Sequence, residues 1–202
     1  MSLFYRFLFF TIGLLIMTFG VCLTIKADLG AGAWDALNVA LSEEIGLSIG
    51  KWVMIDGAIL IIVNSIFVKR KPEFLSLITI IVIGSLVDFW MLIIFETWVF
   101  EGIFIKLTAL LAGIIIIGFG AATYLQAKFP SSPIDNFMLA IKERFGFNLM
   151  VSKTIAEIVP LIPALFLGGP VWIGTIIITL AIGPAIQLFF PSLEKLLKQL
   201  QD

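Results

Sequence analysis

The chain has 202 residues, a formal net charge of −1, 60% hydrophobic residues, no histidine and one cysteine, with a mean hydropathy of +1.14. No soluble surface can cover that much apolar side chain, and the length leaves room for about six spans of ~20 residues and no separate soluble domain of ordinary size. Without a basic run beyond Lys69-Arg70-Lys71, and with Cys22 alone, the composition excludes a nucleic-acid footprint, an intrachain disulfide, a cysteine-cluster metal site and imidazole chemistry.

In chain order, the first apolar run spans residues 3–25. Arg6 beside a hydrophobic stretch could suggest a signal peptide, but the run is long and matches Ala112–Leu125 further on, so it is expected to stay in the mature protein. A shorter segment follows, Gly30-Ala31-Gly32-Ala33-Trp34-Asp35-Ala36-Leu37-Asn38-Val39-Ala40-Leu41. Further spans are expected at 49–68, 74–95 and 103–125. A second short segment, Pro130–Ile141, precedes spans at 150–167 and 171–190. The tail carries Leu193, Leu196, Leu197 and Leu200 at helical spacing among charged residues and reads as an amphipathic interfacial helix over 191–202.

These elements form a duplication. Gly13, Gly20, Ala27, Asp35, Ala40 and Gly46 return 100 residues later as Gly113, Gly120, Ala127, Asp135, Ala140 and Gly146. The organisation predicted is a first repeat over 1–100, a second over 101–190 and the tail. A dozen helical residues rise only ~18 Å, too little for a ~30 Å hydrocarbon core, so the two short segments are expected to be re-entrant or interfacial half-helices. If they do not cross, Arg6, Lys69, Arg70, Lys71, Lys128, Lys142, Arg144, Lys153, Lys195 and Lys198 share one side, against Lys26, Lys51 and Lys106 on the other. That bias places both termini in the cytoplasm. Three spans per repeat then invert the second copy relative to the first. The predicted fold is an all-α polytopic membrane protein of six transmembrane helices and two half-helices, in two inverted repeats, an architecture associated with secondary transporters.

The candidate residues sit on this frame. Asp35 and Asp135 stand at matching places near the starts of the half-helices, where free N–H groups and the helix dipole can hold an anion or a carboxylate. Ser132 with Pro133 and Asp135 also makes a capping arrangement, so a structural role competes. Asp56 and Glu157 each lie about eight residues into a span, a costly place for a charge. Asp88 comes to a depth similar to that of Asp56, roughly 10 Å from the outer face, so the two could meet and share a proton or a cation. Trp34 can shape a cavity together with Phe137, and Trp34, Asn38, Ser132 and Asn136 complete the candidate set. Asn64 reads as a helix-packing residue.

The stretch Lys26-Ala27-Asp28-Leu29-Gly30-Ala31-Gly32-Ala33-Trp34-Asp35-Ala36-Leu37, the run Gly46-Leu47-Ser48-Ile49-Gly50, Ile83-Gly84-Ser85-Leu86-Val87-Asp88 and Ser131-Ser132-Pro133-Ile134-Asp135 resemble the YczE/YyaS/YitT group of bacterial integral membrane proteins over nearly the whole chain. The resemblance implies a protein of the bacterial cytoplasmic (inner) membrane and supplies no substrate. The expected function is a small-solute secondary transporter or permease with its site between the two repeats, and the acids suggest proton or sodium coupling. The alternative is a non-transporting accessory or binding protein that assists another membrane or biosynthetic complex. Neither a Ser/His/Asp set nor a phosphate-binding loop is present, so no enzyme activity is expected. No cofactor or metal is expected either. The expected partners are membrane lipid and an unknown small solute, and the chain could act alone or as a homodimer.

Overall fold

The computed structural model describes residues 3–200, without the side chains of 149 and 150. Residues 1–2 of the expected first repeat and 201–202 of the expected tail lie outside the described residues. Regular structure in the described part is entirely helical: α1 (Leu3–Lys26), α2 (Ala33–Ile45), α3 (Ile49–Val68), α4 (Leu75–Phe89) with a π-helical turn at Trp90–Ile94, α5 (Ile103–Gln126), α6 (Pro133–Phe145), α7 (Leu149–Phe166) and α8 (Ile173–Gln199).

By length and composition, α1, α3, α4 with its π turn, α5 and α8 are each able to cross a membrane. Their outward faces fit that environment. Ile66, Phe104 and Leu188 are 66%, 84% and 73% exposed, an arrangement that hydrocarbon accepts and water does not. The sixth expected span, 150–167, corresponds to α7, which is not among these five. α7 has 18 residues, so it rises ~27 Å, and it contains Pro160 and Pro163 as well as Lys153 and Glu157. The two short segments are 13-residue helices, α2 and α6.

The chain divides into two compact units, and each draws on both halves of the sequence. One unit comprises Ala33–Asp88 and Pro130–Val171, hence α2, α3, α4, α6 and α7; the rest of the described chain forms the other.

In the unit built on α1, α5 and α8, glycines set the geometry. A Cβ on Gly20 would lie 2.8 Å from the Ile117 amide nitrogen and 2.9 Å from the Gly113 carbonyl, and one on Gly120 would lie 2.9 Å from the Gly13 carbonyl. Only glycine lets the two backbones approach that closely. Because Gly13 meets Gly120 and Gly20 meets Gly113, α1 and α5 cross antiparallel, and adding or subtracting 100 exchanges the two contacts. The polar ends follow the same exchange. Arg6 donates to the carbonyls of Ala127 and Lys128 at 2.7 and 2.9 Å, and Lys106 pairs with Asp28 at 2.5 Å. Asp28 and Lys128 themselves share a left-handed backbone, with φ of 54° and 52°. α8 runs without a break through Pro184 and Pro191 to Gln199, so the described part of the expected tail continues the last span. Leu193 and Leu197 of that tail are buried, whereas Leu196 and Leu200 are exposed.

In the other unit, α2 turns into α3 through Gly46 and Leu47, with φ of 93° and 67°. The turn is fastened by Ser42 Oγ donating to the Leu47 carbonyl at 2.8 Å and Trp52 Nε1 donating to the Gly46 carbonyl at 2.7 Å. α6 starts as its sequence predicts: Ser132 caps it, accepting from the Ile134 amide at 3.3 Å, Pro133 follows, and Gly146 closes it in a left-handed conformation. Trp34 of α2, Leu60 of α3, Phe137 and Ile141 of α6 and Ala156 of α7 form the apolar core of this unit.

Candidate functional site

All nine residues singled out from the sequence fall in the unit built on α2, α3, α4, α6 and α7. α2 and α6 touch near their starts, where the Trp34 and Phe137 rings meet edge to face at 6.1 Å. This contact joins a segment of the first repeat to one of the second. It is the apolar side of the site.

The polar side lies on α2 and α3. Trp34 and Asn38 are 8% and 1% exposed, and one helical turn puts them on the same face. The Trp34 Nε1–H and the Asn38 Oδ1 are buried without a hydrogen-bond partner among the described residues, as are Asp56 Oδ2 and Asn64 Oδ1 of α3. Asn38 and Asp56 stand nine residues before and nine after Leu47, so in the α2–α3 hairpin they come to about the same height, ~13 Å from the turn. Two acceptors are thereby left open at one level of the hairpin, and the Trp34 donor one helical turn further from its turn. Each such atom costs about 1–3 kcal/mol when left unsatisfied, which makes this hairpin a place for a ligand, an ion or water.

Asp35 is partly buried and electrostatically coupled to Glu157 of α7, which also feels Asp135 of α6 and Lys153 one turn earlier on its own helix. Acids of α2 and α6 thus both act electrostatically on Glu157. α2 is not a span, and there the Asp35 carboxyl is pushed up to about 7, first by burial and second by the Glu157 charge. Asp135 is itself solvent-exposed.

Asp88 takes a different role from the expected one. Its Oδ2 accepts from Ser48 Oγ at 2.5 Å and its Oδ1 from the Gly50 amide at 2.8 Å, so it caps the start of α3, where the Ser48 side chain makes no capping bond of its own. The expected meeting of Asp56 with Asp88 is therefore not a hydrogen-bonded pair: both Asp88 oxygens are occupied, and the inward Asp56 oxygen has no partner.

Asn136 accepts from Ser131 Oγ at 2.8 Å and donates to Glu73 at 2.9 Å and to Ser76 at 3.4 Å. It lines a cavity of about 400 Å³ between α3, the loop after it and α6, together with Asn64, Arg70, Lys71, Glu73 and Glu143. Of this second polar cluster, sequence reasoning named only Asn136 as a candidate. Asn64 reads as packing, and its Nδ2 does donate to the Pro133 carbonyl at 2.9 Å, but the amide oxygen is left open. A lone asparagine inside an apolar span is the one signal that could have marked it.

Helices with lipid-compatible faces and a buried, partly unsatisfied polar cluster define a multi-pass helical membrane protein. The chain belongs to a family of unknown function (DUF6198), which it matches over residues 4–191. It is similar to the uncharacterized protein YyaS of Bacillus subtilis, 35% identical over 94% of both chains. It is also similar to the uncharacterized membrane protein YczE of the same organism, 32% identical over 95% of this chain and 88% of that one. An uncharacterized protein of Haemophilus influenzae is 27% identical over 90% of this chain and 81% of its own. The resemblance read from the sequence holds. No solved structure matches.

Proposed function

We propose that the protein is a small-solute secondary transporter or permease of the bacterial inner membrane, coupled to a proton or a sodium ion. In this reading six spans and two half-helices form inverted repeats, both termini are cytoplasmic, and the half-helices meet at the solute site. The observation that carries it is the set of open polar atoms on α2 and α3, Trp34 Nε1, Asn38 Oδ1 and Asp56 Oδ2, the last two at one level and beside an apolar core. Helix packing alone would close those hydrogen bonds, whereas a site that loads and unloads leaves them open when empty. Further support comes from the exchange symmetry of the α1–α5 contacts, which is what an inverted pair of repeats requires. Glu157, which feels both Asp35 and Asp135, is a carboxylate that can carry a coupling proton.

The test is a thermal-shift screen of the purified protein against a metabolite library, at two pH values and with or without sodium. A ligand for the folded state raises the apparent melting temperature in a dose-dependent way, equivalent to ~2.7 kcal/mol at a hundredfold excess over Kd. Loss of that shift in Asn38→Leu or Asp56→Asn supports the reading, and no hit across the library opposes it.

A further inference from the structure

α3 is long and apolar enough to cross a membrane and ends at Val68, so Lys69, Arg70 and Lys71 emerge where lipid headgroups lie. The fold brings a second basic pair to them. Arg70 reaches Glu143 in the last turn of α6 at 2.8 Å, across 73 residues of sequence, and Glu143 is flanked by Lys142 and Arg144. Glu73 accepts from Asn136 near the start of the same helix. A basic loop can orient a chain in a membrane without any fixed arrangement; here two ties hold it against α6. The surface thereby sets five exposed cations against two acids, and only Arg70 of the five has an ion pair among the described residues. Arg70 and Lys71 also line the cavity of about 400 Å³, whose wall is aliphatic at Ile61, Val68 and Leu139. Next in sequence to the charges, Phe74 and Phe145 are exposed, and Phe145 stacks on Phe147 at 5.8 Å. Apolar rings beside lysine and arginine suit a surface that lies among headgroups.

We infer that this surface binds one anionic phospholipid, its phosphodiester held by Arg70 and Lys71 and its glycerol and upper acyl chains against Ile61, Val68 and Leu139. A guanidinium has five N–H donors, so Arg70 can serve a phosphate while keeping Glu143. The unpaired cations select a headgroup with net negative charge over a zwitterionic one, since each lysine or arginine near such a lipid adds about 5-fold in affinity. The inference requires α3 to cross a membrane and does not require transport, so a protein that moves no solute leaves it intact.

The experiment is isothermal titration of the full chain in detergent with three probes. Dihexanoyl-phosphatidylglycerol carries charge and chains, dihexanoyl-phosphatidylcholine has the same chains and no net charge, and glycerophosphoglycerol has the charge and no chains. The anionic lipid is expected to bind at least ~10-fold more tightly than either of the others, and its preference to fade at ~1 M salt, where charges are screened within ~3 Å. Lys71→Gln and Lys142→Gln should each weaken phosphatidylglycerol by about 5-fold and leave phosphatidylcholine unchanged. Both side chains are exposed and make no hydrogen bond or ion pair among the described residues, so these variants fold. Lys51→Gln, at the other end of α3, is the control and should change nothing. Equal binding of the two lipids, glycerophosphoglycerol binding as tightly as the lipid, or a loss in Lys51→Gln as large as in Lys71→Gln would overturn the inference.

Discussion

The Gly50 amide donates to Asp88 Oδ1 at 2.8 Å across 38 residues of sequence. The same glycine is where α3 and α4 touch: a Cβ on it would collide with the Gly84 carbonyl. Close approach and cap are one arrangement, because only an uncluttered backbone at Gly50 brings its N–H within reach of a carboxylate on the neighbouring helix. The acid that looks most like half of a coupling pair therefore organises a helix start.

Asp88→Ala should accordingly act on stability. It opens the Gly50 N–H and the Ser48 hydroxyl together, and a lost helix cap costs about 0.5–2 kcal/mol. A lower melting temperature with unchanged ligand affinity is the expected pair of results. Unchanged stability with lost affinity would return Asp88 to the solute site.

The glycine crossing of α1 and α5 predicts matched losses. Gly20→Ala and Gly113→Ala each push a methyl into the partner's backbone, at a cost of about 1–3 kcal/mol. Because the contacts exchange under the repeat, the two variants should lower the melting temperature by similar amounts.

Stability should also depend on Asp35 in a definite direction. An acid whose folded-state pKa stands near 7, above its ordinary 3.8, disfavours the fold once ionised. The penalty is absent below about pH 4, grows as the pH rises and is complete above about 7. Asp35→Asn removes it, so the variant's melting temperature should exceed that of the parent at pH 8 and converge with it toward pH 4. An equal difference at both pH values would show that burial of this carboxyl is unimportant.

The proposed inversion of the repeats is tested with single cysteines in a Cys22→Ala background. Glu44 and Arg144 are repeat counterparts, and both are exposed. A membrane-impermeant thiol reagent should label Glu44→Cys from outside the cell and Arg144→Cys only after the cytoplasmic face is opened. Labelling of both from one face would contradict the inverted arrangement.

Much of this was legible in the residues themselves. Gly13, Gly20 and their partners at 113 and 120 announce both a duplication and a close helix contact, because small residues recurring at a fixed offset in an apolar chain have few other uses. The shortness of α2 and α6 is readable from the sequence, and so is the start of α6, from Ser132-Pro133. The cap made by Asp88 is invisible in sequence, since the acid sits nearly two spans from the amide and the hydroxyl it serves. The cavity at Asn64 is hidden for a related reason: no spacing rule links Arg70 to Glu143, and only the packing of α6 against α3 joins them. The two compact units cut across the repeats because α1 of the first half joins α5 and α8 of the second, whereas α3 and α4 join α6 and α7, a pairing that hydropathy does not encode.

The central claim is that the open polar atoms of α2 and α3 belong to a transported solute. Its most direct test is accumulation of a mixed metabolite pool in proteoliposomes under an imposed proton or sodium gradient, followed by mass spectrometry. The account predicts that at least one solute accumulates above equilibrium under one gradient, and that Asp56→Asn and Asn38→Leu abolish this while remaining folded. Folded protein that accumulates nothing under either gradient, or variants that transport as well as the parent, would contradict it.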